Sequence, residues 1–341
     1  MCTLFKQRLT ARKPFFVVLA VLLFVAISAN AQVDSVYIKD YKNQLTARIY
    51  SLNEAVNLEI NPLAGGPNLS YRPNTQQHMG IAAFYKWFGL GLAVKSPFAS
   101  ANNDRYGESQ SIDLRINAYG SWINAELAYA NYQGFYLENT AQIITNYQEG
   151  EKLFWRPDLD IQSLSGIFYL VANYKKHSFR AAYIQNEYQK KSSGSLLIAP
   201  AFQFNRLRAN KSLIPDDYII EYGIFDQDEL VRGKLNMAGI FVGYSYSVVI
   251  FKKFYVNIAM LPGAFIQYYN YHTEEKHYRK TNAYFLWTSR FAAGYNGNKW
   301  FAGMGGVSGF NDALAPIKTS AYALGLEQFR VWVGTRLKFK E

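Results

Sequence analysis

Along most of the chain, apolar and polar residues alternate with a period of two over unusually long stretches. Residues 328–339 are the clearest case. Phe329, Val331, Val333, Thr335, Leu337 and Phe339 fall on one face, and Gln328, Arg330, Trp332, Gly334, Arg336 and Lys338 on the other. A period of two belongs to strands. A run this long exceeds the roughly five or six residues of an ordinary strand and suits a wall with lipid on one side and water on the other. Arginine at Trp332 is therefore expected to be tolerated better than arginine at Val333. The alternation recurs over 111–120, 123–132 and 285–295, and most apolar faces end in Tyr or Phe, as an interfacial girdle requires.

Short turn sequences separate these runs. Gly120-Ser121, Tyr174-Lys175-Lys176, Phe251-Lys252-Lys253 and Asn296-Gly297-Asn298 each predict an antiparallel hairpin. Strands are expected at 57–71, 78–86, 88–96, 109–120, 122–134, 160–174, 177–190, 195–207, 235–250, 254–269, 282–295, 300–310, 320–326 and 328–339. That is roughly fourteen, or twelve if short strands merge, and an even count fits a closed bacterial barrel. The predicted fold class is all-β: a transmembrane antiparallel up-and-down β-barrel of about 12–14 strands. Two connections, 135–159 and 209–234, are long and polar and read as surface loops or a partial lid. The second carries Asp216, Asp217, Glu221, Asp226, Asp228 and Glu229. Counting strands back from residue 339 puts the Phe251 turn on the opposite side from the Gly120 and Lys175 turns, and 209–234 on the periplasmic side. Barrels keep long connections on the outer side, so the conflict points to a miscounted strand between Lys190 and Leu235.

The N-terminal residues assign the compartment. Lys6, Arg8, Arg12 and Lys13 precede an apolar run from Phe15 to Ile27, and Ala29-Asn30-Ala31 supplies the small-x-small pattern a signal peptidase accepts. Residues 1–31 are expected to be a cleaved signal peptide, 32–54 a short periplasmic lead-in and 55–341 the barrel. The apolar run falls short of the roughly 20 residues a spanning helix needs. Removing the signal's four cations brings the net charge from +11 to +7 and takes away the only cysteine, Cys2. An exported chain without cysteine relies on no disulfide. Aromatics form 17% of the chain, Tyr alone counting 27. Beyond the signal no apolar run approaches helix-spanning length, which excludes a helical membrane protein.

Candidate chemistry is sparse. His272 and His277 flank Glu274 and Glu275, but the spacing matches no metal signature and Lys276, Arg279 and Lys280 add repulsion, so a solvated loop is expected and no metal or cofactor is assigned. A lipid-modifying enzyme in the barrel wall, the alternative function, needs a Ser, a His base and an orienting acid. His177 and Ser178 are sequence neighbours and would point to opposite faces of a strand, while His78 has no serine in its own hairpin. The strongest functional signal is charge on inward faces: Asp113, Arg115, Glu126, Arg180, Arg290, Arg330, Arg336 and Lys338. Cations outnumber acids, so an open lumen would favour an anionic solute. A filled interior in which these groups pair is the expected arrangement, because barrels of this size leave little bore once long side chains occupy it. The expected activity is that of a structural or docking barrel or a narrow, porin-like solute channel. Expected partners are outer-membrane lipid and, during insertion, the barrel-assembly machinery. Scattered basic residues form no stripe, so nucleic acid is not expected.

Several short motifs add a resemblance. Asp40-Tyr41, Leu69-Ser70-Tyr71-Arg72-Pro73-Asn74, Tyr85-Lys86-Trp87-Phe88-Gly89-Leu90, Gly134-Phe135-Tyr136-Leu137 and Gln189-Lys190-Lys191-Ser192-Ser193-Gly194-Ser195 resemble the Bacteroidetes domain-of-unknown-function family 4421 over nearly all of the mature chain. The resemblance implies an outer-membrane barrel and transfers no catalytic residue. The tail Gly334-Thr335-Arg336-Leu337-Lys338-Phe339 is similar to the terminal strand signal of barrel assembly, with Lys340 and Glu341 as a departure after the last aromatic.

Overall fold

The computed structural model describes residues 31–62, 66–74, 77–97, 102–222, 232–272, 277–309, 313–317 and 320–338. The expected signal segment, apart from Ala31, lies outside the described residues, as do 223–231 with Asp226, Asp228 and Glu229, and Phe339. Twelve antiparallel strands close into a barrel. In chain order they are β2 (Leu45–Pro62), β4 (Gln77–Tyr85), β5 (Phe88–Lys95), β6 (Gln110–Tyr119), β7 (Ile123–Leu137), β8 (Trp155–Val171), β10 (Ser193–Arg208), β11 (Arg232–Ile250), β12 (Phe254–His272), β13 (His277–Asn296), β14 (Trp300–Ser308) and β16 (Ser320–Leu337). Each pairs with its sequence neighbour in this list, and β16 pairs with β2 along its whole length, from Leu337↔Leu45 to Ser320↔Pro62. Shorter strands complete the set: β1 (Ile38–Asp40) pairs with β9 (Glu187–Gln189), β3 (Leu69–Arg72) bridges β2 and β7, and β15 (Ala313–Ile317) extends β16.

Strand β12 illustrates how the sequence makes the wall. Phe254, Ile258, Met260, Ile266 and Tyr268 are exposed on the outside, while Tyr255, Asn257, Ala259, Leu261, Phe265, Gln267 and Tyr269 are buried inside. Outward Phe285, Trp287, Phe291, Phe329, Val331, Val333 and Leu337 extend the belt around β13 and β16, as their alternation predicts. Such a continuous apolar exterior is stable only against lipid. Beyond the bulge at Gln133/Phe135, β7 continues to Leu137. Gly134 makes the bulge possible: its φ is +83°, and a Cβ there would sit 2.4 Å from the Glu108 carbonyl oxygen.

Two expected strands are not separate barrel strands. Residues 320–326 and 328–339 are one strand, β16, through residue 337. Residues 177–190 form a short helix, Phe179–Tyr183, followed by β9, because β8 pairs directly with β10 and leaves no place in the wall. Ser178 starts the helix by accepting a hydrogen bond from the Ala181 N–H at 2.9 Å. The Tyr174 turn therefore leads inward instead of closing a hairpin. With both corrections the parity conflict disappears. Turns 86–87, 120–122, 251–253 and 297–299 lie at one end, and the connecting residues 138–154 and 209–222 at the other. The miscount lay at 177–190 and 320–339, not between Lys190 and Leu235. The first barrel strand also begins at Leu45, inside the stretch expected to be lead-in.

Both ends of the lumen are filled. At the short-turn end, residues 172–192 fold into the barrel as a plug, and residues 177–187 are all buried. Residues 34–40 lie across it, through β1 and a hydrogen bond from the Asp34 N–H to the Lys175 carbonyl at 2.9 Å. Gln189, the first residue of the Gln189–Ser195 motif, ties the plug's two ends: its Nε2 donates to the carbonyls of Lys176 (2.7 Å) and Lys191 (2.9 Å). At the other end Tyr71 donates to the Leu213 carbonyl (2.6 Å) and Tyr218 to the Pro67 carbonyl (2.9 Å), folding the 209–222 segment over β3.

The wall makes a direct prediction. Val333→Arg should cost ~2–4 kcal/mol for a midplane position. Trp332→Arg should not be mild, contrary to the sequence expectation, because the indole is buried and its Nε1 donates to Gln185 Oε1 of the plug. Denaturant titrations of the two variants in phospholipid vesicles measure both; an unchanged Val333→Arg midpoint would place that residue off the lipid face.

Candidate functional site: a cationic chamber above the plug

Between the two caps lies a cavity of about 110 Å³, lined by Arg48, Arg115, Glu126, Arg290, Arg330 and Trp332 among others. This holds several water molecules or one small anion, since a water needs about 10–15 Å³ on the same measure. Small inward residues, Ala128, Ser165 and Gly305, leave the room. Alternation on strands aims every one of the arginines inward: Arg48 on β2, Arg115 on β6, Arg290 on β13 and Arg330 on β16.

Two of the four are neutralised. Arg115 makes a bidentate pair with Asp113, Nε to Oδ1 and Nη2 to Oδ2, both at 2.7 Å. Arg290 reaches across the lumen to Glu126, with Nη1 to Oε2 at 2.9 Å and Nη2 to Oε1 at 3.2 Å. Tyr119 donates to the same carboxylate at 2.9 Å. Paired, forked geometry of this kind is the strong form of the interaction.

The other two have no carboxylate partner among the described residues. Arg48 donates from Nη1 to the Tyr183 carbonyl of the plug (2.8 Å), and its guanidinium packs on the rings of Phe84 (5.0 Å), Trp332 (5.3 Å) and Tyr50 (5.8 Å). Arg330 donates to Gln328 Oε1 (3.0 Å) and lies 5.6 Å from the Tyr50 ring. The Nε of each is buried without a hydrogen-bond partner. Aromatic faces offset part of the cost of such cations, but a buried charge lacking a counter-charge remains expensive. Among the described residues four guanidinium groups therefore face two carboxylates, an excess of two cations.

Three of the eight candidate lumen charges act elsewhere. Arg180 is inside the barrel but belongs to the plug helix and not to a strand; it pairs with Glu187 at 3.0 Å, both fully buried. Burial pushes the Glu187 carboxyl up, against the Arg180 guanidinium, which pulls it down. Arg336 anchors the plug, donating to the carbonyls of Gln185 and Gly297 and to Asn296 Oδ1. Lys338 follows the end of β16 and is exposed. Conversely, sequence reasoning missed Arg48, which sits in the expected lead-in. Its signal was the inward run Thr46, Arg48, Tyr50 and Leu52, all buried.

Among the described residues His78 and His177 each meet a serine hydroxyl, and neither completes a triad with an acid. His78 Nε2 lies 2.8 Å from Ser111 Oγ on β6, yet its Nδ1 is buried without a partner. His177 Nδ1 faces the Ser193 carbonyl and Nε2 faces Ser245 Oγ, each at 3.1 Å. Neutral imidazole satisfies both contacts, with Nδ1–H donating to the carbonyl and Nε2 accepting from the hydroxyl. Ser178 instead donates to Glu187 Oε2 (2.5 Å). Both histidines point into the barrel, away from lipid. His272 lies at the end of β12, and residues 273–276 between it and His277 are outside the described residues.

A family model described as Domain of unknown function (DUF4421) matches residues 32–320. The chain belongs to that family. No curated protein matches it. Among solved structures, this DUF4421 barrel is similar to the outer membrane protease OmpT from Escherichia coli, at 10% identity over 86% of this chain and 95% of that one, with a TM-score of 0.34. It is also similar to the translocator domain of the autotransporter NalP from Neisseria meningitidis, at 11% identity over 99% of each chain and a TM-score of 0.31. The toluene transporter TodX from P. putida matches at 8% identity over 87% and 91%, with a TM-score of 0.29. At these values no residue role or activity passes to the DUF4421 chain, whose architecture rests on its own strand pairing.

His177 links the plug to pH. Burial pushes its pKa down from the ordinary 6.5 to about 4. The folded state thus favours the neutral ring, so its contribution is fully present above pH 6.5 and is lost as pH falls towards 4, at up to about 3 kcal/mol. The thermal midpoint of the folded band should drop between these pH values, and His177→Gln should remove part of that drop. Identical pH profiles for the two proteins would show that His177 does not anchor the plug.

Proposed function

We propose that this DUF4421 protein is an integral outer-membrane barrel that acts as a narrow, plugged solute channel for small anions. Export with cleavage after Ala31 and insertion by the barrel-assembly machinery are part of the reading. The N-terminal basic and apolar pattern supports the first, and the terminal alternating strand the second. The apolar belt supports a bilayer as its surroundings.

One observation carries the functional part: Arg48 and Arg330 face a cavity between the plug and the long-loop cap without an acidic partner among the described residues. A permeating or bound anion completes their coordination. The plug and the cap argue against a constitutively wide pore. A lipid-modifying activity has less support, since the serine–histidine contacts face inward and the Nδ1 of His78 meets no acid.

Planar-bilayer recording tests the reading. Wild-type protein should show no steady wide conductance, and its small openings should prefer chloride over potassium. In Arg48→Gln/Arg330→Gln the preference should fall towards unity. A large, steady and unselective conductance that the double variant leaves unchanged would contradict it.

A further inference from the structure

On the outside of the barrel, the long-loop ends of two adjacent strands, β10 and β11, carry a compact group of four cations. Register fixes their arrangement. Arg206 on β10 stands opposite Lys234 on β11, and Arg208 opposite Arg232. On the other side Lys234 faces Asn270 and Arg232 faces His272, both on β12. Two like-charged pairs directly opposite each other in a ladder are unfavourable unless a counter-charge joins them.

These side chains share the lipid-facing side of the wall. Arg206 and Arg208 have the parity of exposed Leu196, Ile198 and Phe204; Arg232 and Lys234 have that of exposed Ile240, Val242 and Tyr244. All four cations are exposed, and they lie past the end of the apolar belt: directly after Phe204 on β10, and past Ile240, Ala238 and Asn236 on β11, while Asn270 and His272 follow Tyr268 on β12. Their level is that of lipid headgroups. Among the described residues no ion pair involves any of the four, and the acid facing them across the ladder is Asp160 on β8, opposite Arg208, with Gln162 opposite Arg206. They surround a concavity of about 810 Å³ together with Asn210, Asn270 and His272.

We propose that this patch binds the phosphate groups of anionic lipid in the leaflet at the long-loop end. Guanidinium forks match phosphate oxygens bidentately, and Lys234 adds a point charge beside them. The apolar wall below receives the acyl chains of the same molecule, so one lipid satisfies both halves of the surface. A water-soluble phosphate would use only the cations. The inference rests on the barrel crossing a bilayer and is independent of the central chamber.

Full-length protein in a neutral detergent, examined by native mass spectrometry with added phosphatidic acid, phosphatidylcholine or inorganic phosphate, tests the proposal. Wild type should retain phosphatidic acid at least about tenfold more than phosphatidylcholine, as several cations at about 1 kcal/mol each imply. Arg206→Gln/Arg208→Gln/Arg232→Gln/Lys234→Gln should bring retention down to the phosphatidylcholine level, while Lys252→Gln/Lys253→Gln at the short-turn end should not. Without anionic lipid the quadruple variant should be at least as heat-resistant as wild type, because its like-charge pairs are gone; should it fail to fold, Arg206→Gln/Lys234→Gln serves instead. Equal retention by wild type and variant would overturn the proposal. So would displacement of phosphatidic acid by equimolar inorganic phosphate, which would make this a free-phosphate site.

Discussion

Everything in this protein depends on one hydrogen-bonded seam, the pairing of β16 with β2 along the full length of both strands. In lipid an unpaired strand edge exposes a row of donors and acceptors that nothing can satisfy. Closure removes both edges at once and fixes the barrel at twelve strands. It also brings Arg48 and Arg330 to adjacent strands: Arg330 stands opposite Leu52, and Arg48, four residues along the ladder, stands opposite Gly334. The cationic side of the chamber is thus a product of the seam. Neither arginine has the other as a sequence neighbour, and among the described residues neither acquires an acidic partner from this closure.

Closure creates an interior that must then be filled. The protein fills it with its own chain. Tyr183 of the plug donates to Asn257 Oδ1 at 2.7 Å, and Tyr255 donates to the Ala182 carbonyl at 2.7 Å, so wall and plug satisfy each other's polar groups. Arg290 joins the two layers differently: it pairs with Glu126 in the wall and lies 4.5 Å from the Tyr183 ring of the plug. Removing a buried partner from such a network strands a charge in low dielectric. The plug is therefore held by the same residues that shape the chamber, and movement of one alters the other.

How much of this was legible in the sequence follows from which surfaces each segment touches. A strand between lipid and lumen, such as β12, has two unlike faces, and its alternation reads directly. Residues 177–187 are buried on every side, so no polarity contrast marks them, and a helix inside the barrel was read as another strand. Arg48 was overlooked because Ala47 and Ser51 dilute the outward face of β2, where Ile49 is the one large exposed apolar residue of residues 45–52. Charges were visible but pairings across the barrel were not. Asp113 and Arg115 lie two apart on one strand and could be matched by eye, whereas Glu126 and Arg290 are 164 residues apart and meet only through closure. The patch at Arg206, Arg208, Arg232 and Lys234 likewise needs the register of β10 against β11 before it becomes one surface.

The central claim is that the lumen is closed by residues 172–192, and Gln185 is the place to test it. Its side chain is fully buried at the meeting point of plug and wall, where its carbonyl accepts from Arg336 and its Oε1 from Trp332. Gln185→Cys, in a chain with Cys2→Ser, can be challenged in proteoliposomes with a membrane-impermeant maleimide. A filled lumen predicts labelling only after denaturation, while a cysteine at exposed Lys252 reacts at once. Equal labelling rates at the two positions in the folded protein would contradict the account.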